Sequence, residues 1–137
     1  MHLVACGHLW VVRERSEVVF NKMFIYPRLM NLAIDYYGTI EKNPRHYRRL
    51  AEAVRGGGGA VFIISAVEAP NVGRAERDIK KARVPNDGVH VITYDKYLAV
   101  PKLKLAKCKE LEVSVLIDNR ADTVAVVSRH RIVGLKA

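Results

Sequence analysis

Glutamine does not occur in this sequence, and cysteine occurs only twice, at Cys6 and Cys108. The two thiols stand far apart, form no CxxC unit and have no histidine at ligand spacing beside them. That argues against the usual zinc signatures. Two small buried hydrophobes are the plain reading, and a disulfide is expected only in a hyperthermophile protein. The missing glutamine, the abundant charge and the many valines are hyperthermophile tendencies. His2, His8, His46, His90 and His130 show no ligand spacing either.

No apolar run approaches the roughly 20 residues that cross a bilayer. The opening stretch MHLVACGHLW has no basic lead and is interrupted by His2, Cys6, Gly7 and His8, so it does not read as a signal peptide. The expectation is a cytoplasmic protein with no membrane partner. Repeats and low-complexity segments are also absent, and 50% of the residues are hydrophobic, which argues against disorder away from the ends of the chain. The glycines at 56–59 have no GK[ST] after them, so they read as a helix stop and not as a phosphate loop.

The chain has 137 residues, enough for one domain with its own core. Its net charge is +9. Such a surface attracts polyanions such as nucleic acid or phosphorylated ligands. The plainer alternative is a solvated face of lysine and arginine, because these residues are spread along the chain.

Residues 2–13 and 17–26 are rich in Val, Phe, Ile, Tyr and Trp, with the polar stretch Glu14-Arg15-Ser16 between them. They predict a β-hairpin ended by Pro27, an N-terminal extension over 1–28. A hairpin alone is marginal, so it needs a sheet or a second copy of the chain to pack on. Trp10, Phe20, Phe24 and Tyr26 read as core or interface residues within it.

Residues 29–137 read as the main domain. An apolar strand at 30–35 precedes a helix capped by Asn43, opened by Pro44 and stopped by the glycines at 56–59. Tyr47, Leu50, Ala51 and Val54 form the apolar stripe of that helix. Strands follow at 60–65, 89–94, 113–118 and 131–135. Helices lie between them at 71–83, 101–111 and 121–128. This alternation is the signature of an α/β fold with a parallel sheet flanked by helices. Ligands in such sheets bind at the carboxyl ends of the strands.

Three apolar strands end on a polar or acidic residue: Asp35, Ser65 and Asp118. In a parallel sheet these ends share one edge. Two facing carboxylates repel, and a divalent cation such as magnesium relieves the repulsion.

With these motifs in order, the sequence resembles the haloacid dehalogenase-like (HAD) superfamily, which has a Rossmannoid parallel sheet. IDYYGTI resembles its first motif, VFIIS its second, the lysines of PKLKLAKCK its third and LIDNRAD its fourth. The resemblance runs from residue 30 to 122 and implies a phosphohydrolase. Asp35 would be the nucleophile that forms an aspartyl-phosphate. Ser65 would bind a phosphoryl oxygen, and Lys102, with Lys104 as alternate, would neutralise charge. Thr39 would tie down the turn. Asp35, Asp118 and the Tyr37 carbonyl would hold magnesium, with Asp122 in support.

One position departs from the phosphatase pattern. Tyr37 stands where the second aspartate, the general acid and base, is found. A phenol is a poor proton donor and acceptor at neutral pH. DYYGTI also resembles the first motif of the 2-haloacid dehalogenases. Those enzymes carry a large cap, whereas only 29 residues separate Asp35 from Ser65 here. By the resemblance, a capless, open site implies macromolecular substrates, and the net charge of +9 puts nucleic-acid phosphate ends first. A weak phosphohydrolase and an inactive HAD-like binding protein for nucleic acid or protein are the two leading expectations; a dehalogenase is the third.

Overall fold

The apolar run Leu32, Ala33 and Ile34 forms β1, Asn31–Ile34, the central strand of a five-stranded sheet. The structure is a computed structural model and describes residues 29–137. The hairpin expected over 1–28, with Cys6 and Trp10, lies outside the described residues. The other strands are β2 (Ala60–Val67), β3 (Gly88–Thr93), β4 (Val115–Asp118) and β5 (Val133–Lys136). Their order is β3-β2-β1-β4-β5, and each neighbouring pair is parallel. The expected α/β fold with a parallel sheet is therefore present.

Four helices connect the strands: α1 (Pro44–Gly56), α2 (Val72–Ala82), α3 (Val100–Glu110) and α4 (Ala121–Ser128). Asn43 caps α1 as expected, its side chain accepting from the His46 amide at 3.3 Å. Alternation along β1 sends side chains to opposite faces of the sheet. Leu32 and Ile34 join Tyr47 and Ala51 of α1 and Ile79 of α2 in one cluster. Ala33 joins Cys108 of α3 and Val127 of α4 in the other. Ile34, Ile63, Ile64 and Leu116 are fully buried. Each such burial contributes about 1.5–3 kcal/mol, so the two layers drive the fold.

Several boundaries differ from expectation by a residue or two, and β4 starts at Val115 and not at 113. β2 runs past Ser65 to Val67, because Ser65, Ala66 and Val67 pair with Val91, Ile92 and Thr93 of β3. Ser65 is thus inside a strand and not at its end. β5 starts at Val133 and not at 131, because Arg131 has φ 64°. That left-handed geometry belongs to a turn and stops a strand.

Cys108 is fully buried in α3, as a small hydrophobe would be, and burial pushes its thiol up to about 12. Among the described residues no helix is long and apolar enough to cross a membrane.

The chain builds β1, β2 and β3 on one side and then crosses β1 to build β4 and β5. The order therefore reverses between β1 and β4. In open α/β sheets the ligand crevice lies at such a point, outside the carboxyl ends of the strands.

Candidate functional site

Asp35 is the residue after β1, and its amide donates to the Ile117 carbonyl of β4 at 2.9 Å. That bond fixes the carboxylate at the switch point. The chain then turns through Thr39, whose amide donates to the Tyr36 carbonyl at 3.1 Å. Gly38 makes the turn possible, with φ 80°. A Cβ on Gly38 would collide with the Asn119 side chain, which lies over the turn. Thr39 Oγ1 donates to Asp35 Oδ2 at 3.3 Å, which links the turn to the carboxylate.

Lys104 joins the two acids. Its Nζ donates to Asp35 Oδ1 at 2.7 Å and to Asp118 Oδ2 at 2.6 Å. Asp118 Oδ1 accepts from the Arg120 amide at 2.9 Å. All three charged side chains are buried, with Asp35 4%, Lys104 2% and Asp118 0% exposed. Two carboxylates and one ammonium leave the cluster one negative charge in excess when all are ionised. Burial raises the Asp35 carboxyl to about 6; Lys104 opposes the rise and Asp118 adds to it. For Lys104, burial works against the charge, but Asp35 and Asp118 hold the ammonium above its ordinary value.

Ser65 lies beside this cluster, 1% exposed. Among the described residues its buried Oγ has no hydrogen-bond partner. It lines a cleft of about 240 Å³ with Asp35, Lys104, Tyr97, Asn119 and Arg120. Such an orphan hydroxyl is costly unless something binds it.

Lys104, and not Lys102, is the lysine of this site. Lys102 is exposed. Two helical positions place residues on opposite sides of a helix, whereas four place them on one face. Lys104 shares the inward face with Val100 and Cys108. A lysine at the centre of an apolar stripe was the available signal.

Asp122 does not face the cluster. Its carboxylate takes Arg120 Nε at 2.9 Å and Nη2 at 2.6 Å, and its side chain is 52% exposed. The bonds from Arg120 hold the Asp122 carboxyl below its ordinary value. It stands in the first turn of α4, where its carboxylate pairs with Arg120 two residues back.

Tyr37 also lines the cleft, but its phenol donates to Asp78 of α2 at 2.8 Å. Burial first, then Asp78, pushes the phenol up to about 12. It therefore holds its proton at neutral pH. Asp78, Tyr97, Asn119 and Arg120 escaped sequence reasoning because they stand outside the strand-end pattern.

Among the described residues no three His, Cys, Asp or Glu side chains converge as metal ligands. A three-carboxylate cage does not fit. Magnesium shared by Asp35 and Asp118 would have to displace the Lys104 ammonium, which lies 2.7 and 2.6 Å from them; each carboxylate oxygen accepts one described hydrogen bond and retains acceptor capacity.

A second cleft of about 390 Å³ adjoins the first across Gly38 and Asn119. Lys42, His46 and Lys136 give it a basic lining. Of the basic residues at the start of α1, His46 lies in this cleft. Arg48 instead donates to the Ala82 carbonyl at 2.7 Å.

No family model matches the chain, and no curated protein does. Solved structures do match. A chain of a Pnkp1/Rnl/Hen1 complex superposes with a TM-score of 0.64 at 16% identity, over 82% of this chain and 47% of that one. A universal stress protein in complex with cAMP matches with a TM-score of 0.54 at 14% identity, over 81% and 98%. A universal stress protein from Archaeoglobus fulgidus matches at 0.52 and 15%, over 85% and 97%. At these identities the likeness establishes the fold alone. This chain spans about half the length of the Pnkp1/Rnl/Hen1 chains it matches, 47% and 53%.

Proposed function

We propose that the cleft at the carboxyl edge of β1, β2 and β4 is a HAD-like phosphoryl site and that the protein is a slow phosphohydrolase. One observation carries this reading: Lys104 bridges Asp35 and Asp118 beside the unpartnered hydroxyl of Ser65.

In this reading an Asp35 oxygen attacks phosphorus, the ester P–O bond breaks, and the leaving alkoxide takes a proton from water. Water then hydrolyses the aspartyl-phosphate and restores Asp35. The Ser65 hydroxyl donates to a phosphoryl oxygen. An ammonium has three donors, and Lys104 uses two on the carboxylates, so the third remains for the charge that develops on the group in flight. Asp35, Asp118 and the Tyr37 backbone carbonyl would hold magnesium, which neutralises phosphoryl charge when bound. Phosphate ends of nucleic acid are the first substrate class, on the grounds of the open site and the net charge of +9. Two fold neighbours, one from an RNA repair complex and one holding cAMP, make nucleotides sensible first probes.

Tyr37 favours a second reading, a binding protein without turnover. Its phenol, engaged with Asp78 and pushed up to about 12, supplies no general acid or base near neutral pH.

The test is phosphatase activity near pH 7 with magnesium, on para-nitrophenyl phosphate and on 3′- and 5′-phosphorylated oligonucleotides. Turnover that disappears in Asp35→Asn is the expected result. No turnover on any of these substrates, or turnover unchanged in Asp35→Asn, removes the hydrolase reading. Salt-dependent oligonucleotide binding that survives Asp35→Asn without turnover supports the second reading.

A further inference from the structure

Tyr97 is 59% exposed, yet it lines the same cleft as Asp35, Ser65 and Lys104. The Arg120 guanidinium lies 3.8 Å from the centre of that ring. Arg120 is itself fixed by two bonds to Asp122, and its Nη1 donates to the Tyr97 carbonyl at 3.4 Å. Tyr94 meets the Tyr97 ring edge-on, with centroids 5.7 Å apart. A solitary exposed tyrosine is unremarkable. This one is held at the mouth of a phosphoryl-type cleft by an arginine whose own direction is locked. Leu98, the next residue, is 87% exposed.

We propose that Tyr97, backed by Arg120, is a stacking platform that selects phosphates carried on a nucleobase. The inference rests on the phosphoryl reading of the cleft. A phosphate seated by Lys104 and Ser65 leaves the rest of its ester at the cleft mouth, where Tyr97 offers a flat ring. A base gains from stacking on it, and a bare sugar does not. The platform tolerates any base, because each has a π-face and nothing at Tyr97 reads an edge. The basic cleft lined by Lys42, His46 and Lys136 lies across Gly38 and Asn119. It suits further backbone phosphates, so a strand end extends the same chemistry that a free nucleotide provides.

Calorimetric titration of the full chain tests this with adenosine 5′-phosphate, ribose 5-phosphate and a 5′-phosphorylated trideoxyadenylate. Adenosine 5′-phosphate is expected to bind about tenfold more tightly than ribose 5-phosphate, the scale of one base–aromatic stack. Tyr97→Ala is expected to erase that gap and leave ribose 5-phosphate unchanged, while Tyr97→Phe keeps it. Tighter, salt-sensitive binding of the trinucleotide identifies a strand end as the source; equal binding identifies a free nucleotide. The proposal is overturned if the two monophosphates bind alike, including if neither binds, or if the gap survives Tyr97→Ala. A Tyr97-dependent gap without phosphatase turnover removes the hydrolase reading and leaves the platform standing.

Discussion

Lys104 Nζ stands 2.7 Å from Asp35 Oδ1, although 69 positions separate the two residues in the chain. The parallel sheet makes the meeting possible. β1 and β4 are neighbours, and Lys104 on the inward face of α3 reaches the acids at both carboxyl ends. A lysine in the apolar stripe of α3 thus meets two carboxylates that would otherwise be buried together.

Loss of this lysine is expected to be costly. Lys104→Met leaves two buried carboxylates without their cation, and breaking a buried ion pair costs about 3–5 kcal/mol. Lys102→Met, on the exposed face of α3, should change stability by no more than about 0.5 kcal/mol. Urea unfolding of both variants is the measurement. Equal losses would contradict the placement of Lys104 at the centre of the site.

The raised Asp35 carboxyl makes a signed prediction about pH. Its value moves from 3.8 in the unfolded chain to about 6 in the fold. Its contribution to stability is therefore fully present below pH 3.8 and is lost as pH rises through about 6. Asp35→Asn removes this titration. The stability of the variant relative to the parent should rise between pH 4 and pH 7, as read from thermal unfolding at matched ionic strength. The same ionisation governs chemistry: nucleophilic turnover should climb through pH 6. A flat difference in stability across the window would show that Asp35 does not titrate there.

Tyr37 supplies the sharpest test of the hydrolase reading. General acid and base catalysis contributes about 10²–10⁴-fold. Tyr37→Asp places a carboxylate two residues after Asp35, so phosphatase turnover should rise by about 10²-fold or more. Tyr37→Phe, which loses only the bond to Asp78, should leave turnover near its starting level and cost about 0.5–1.5 kcal/mol of stability. Turnover of para-nitrophenyl phosphate by the purified variants decides it. A Tyr37→Asp protein no faster than its parent would count against the phosphoryl role of Asp35.

The alternation of strands and helices after residue 29 was legible because short-range signals agreed. Pro44 and Asn43 opened a helix, the glycines at 56–59 closed it, and continuous apolar runs marked buried parallel strands. The same signals placed Asp35 and Asp118 at strand ends. They misplaced Ser65, because the end of β2 depends on how far β3 pairs with it. They also preferred Lys102 to Lys104, because nearness to a helix start is a weaker guide than the helical face.

By itself the sequence determined the α/β class, the element order and the candidate acids, since these follow from local propensity and hydrophobic period. Only the tertiary structure decided which lysine joins the acids, that Asp122 serves Arg120, that the Tyr37 phenol turns to Asp78, and that Tyr97 stands at the cleft mouth. Apart from the local Arg120–Asp122 pair, each of these brings together elements distant in the chain. Such contacts are set by strand order and by helix rotation over the sheet, and of these only the inward face of α3 left a trace in the local pattern.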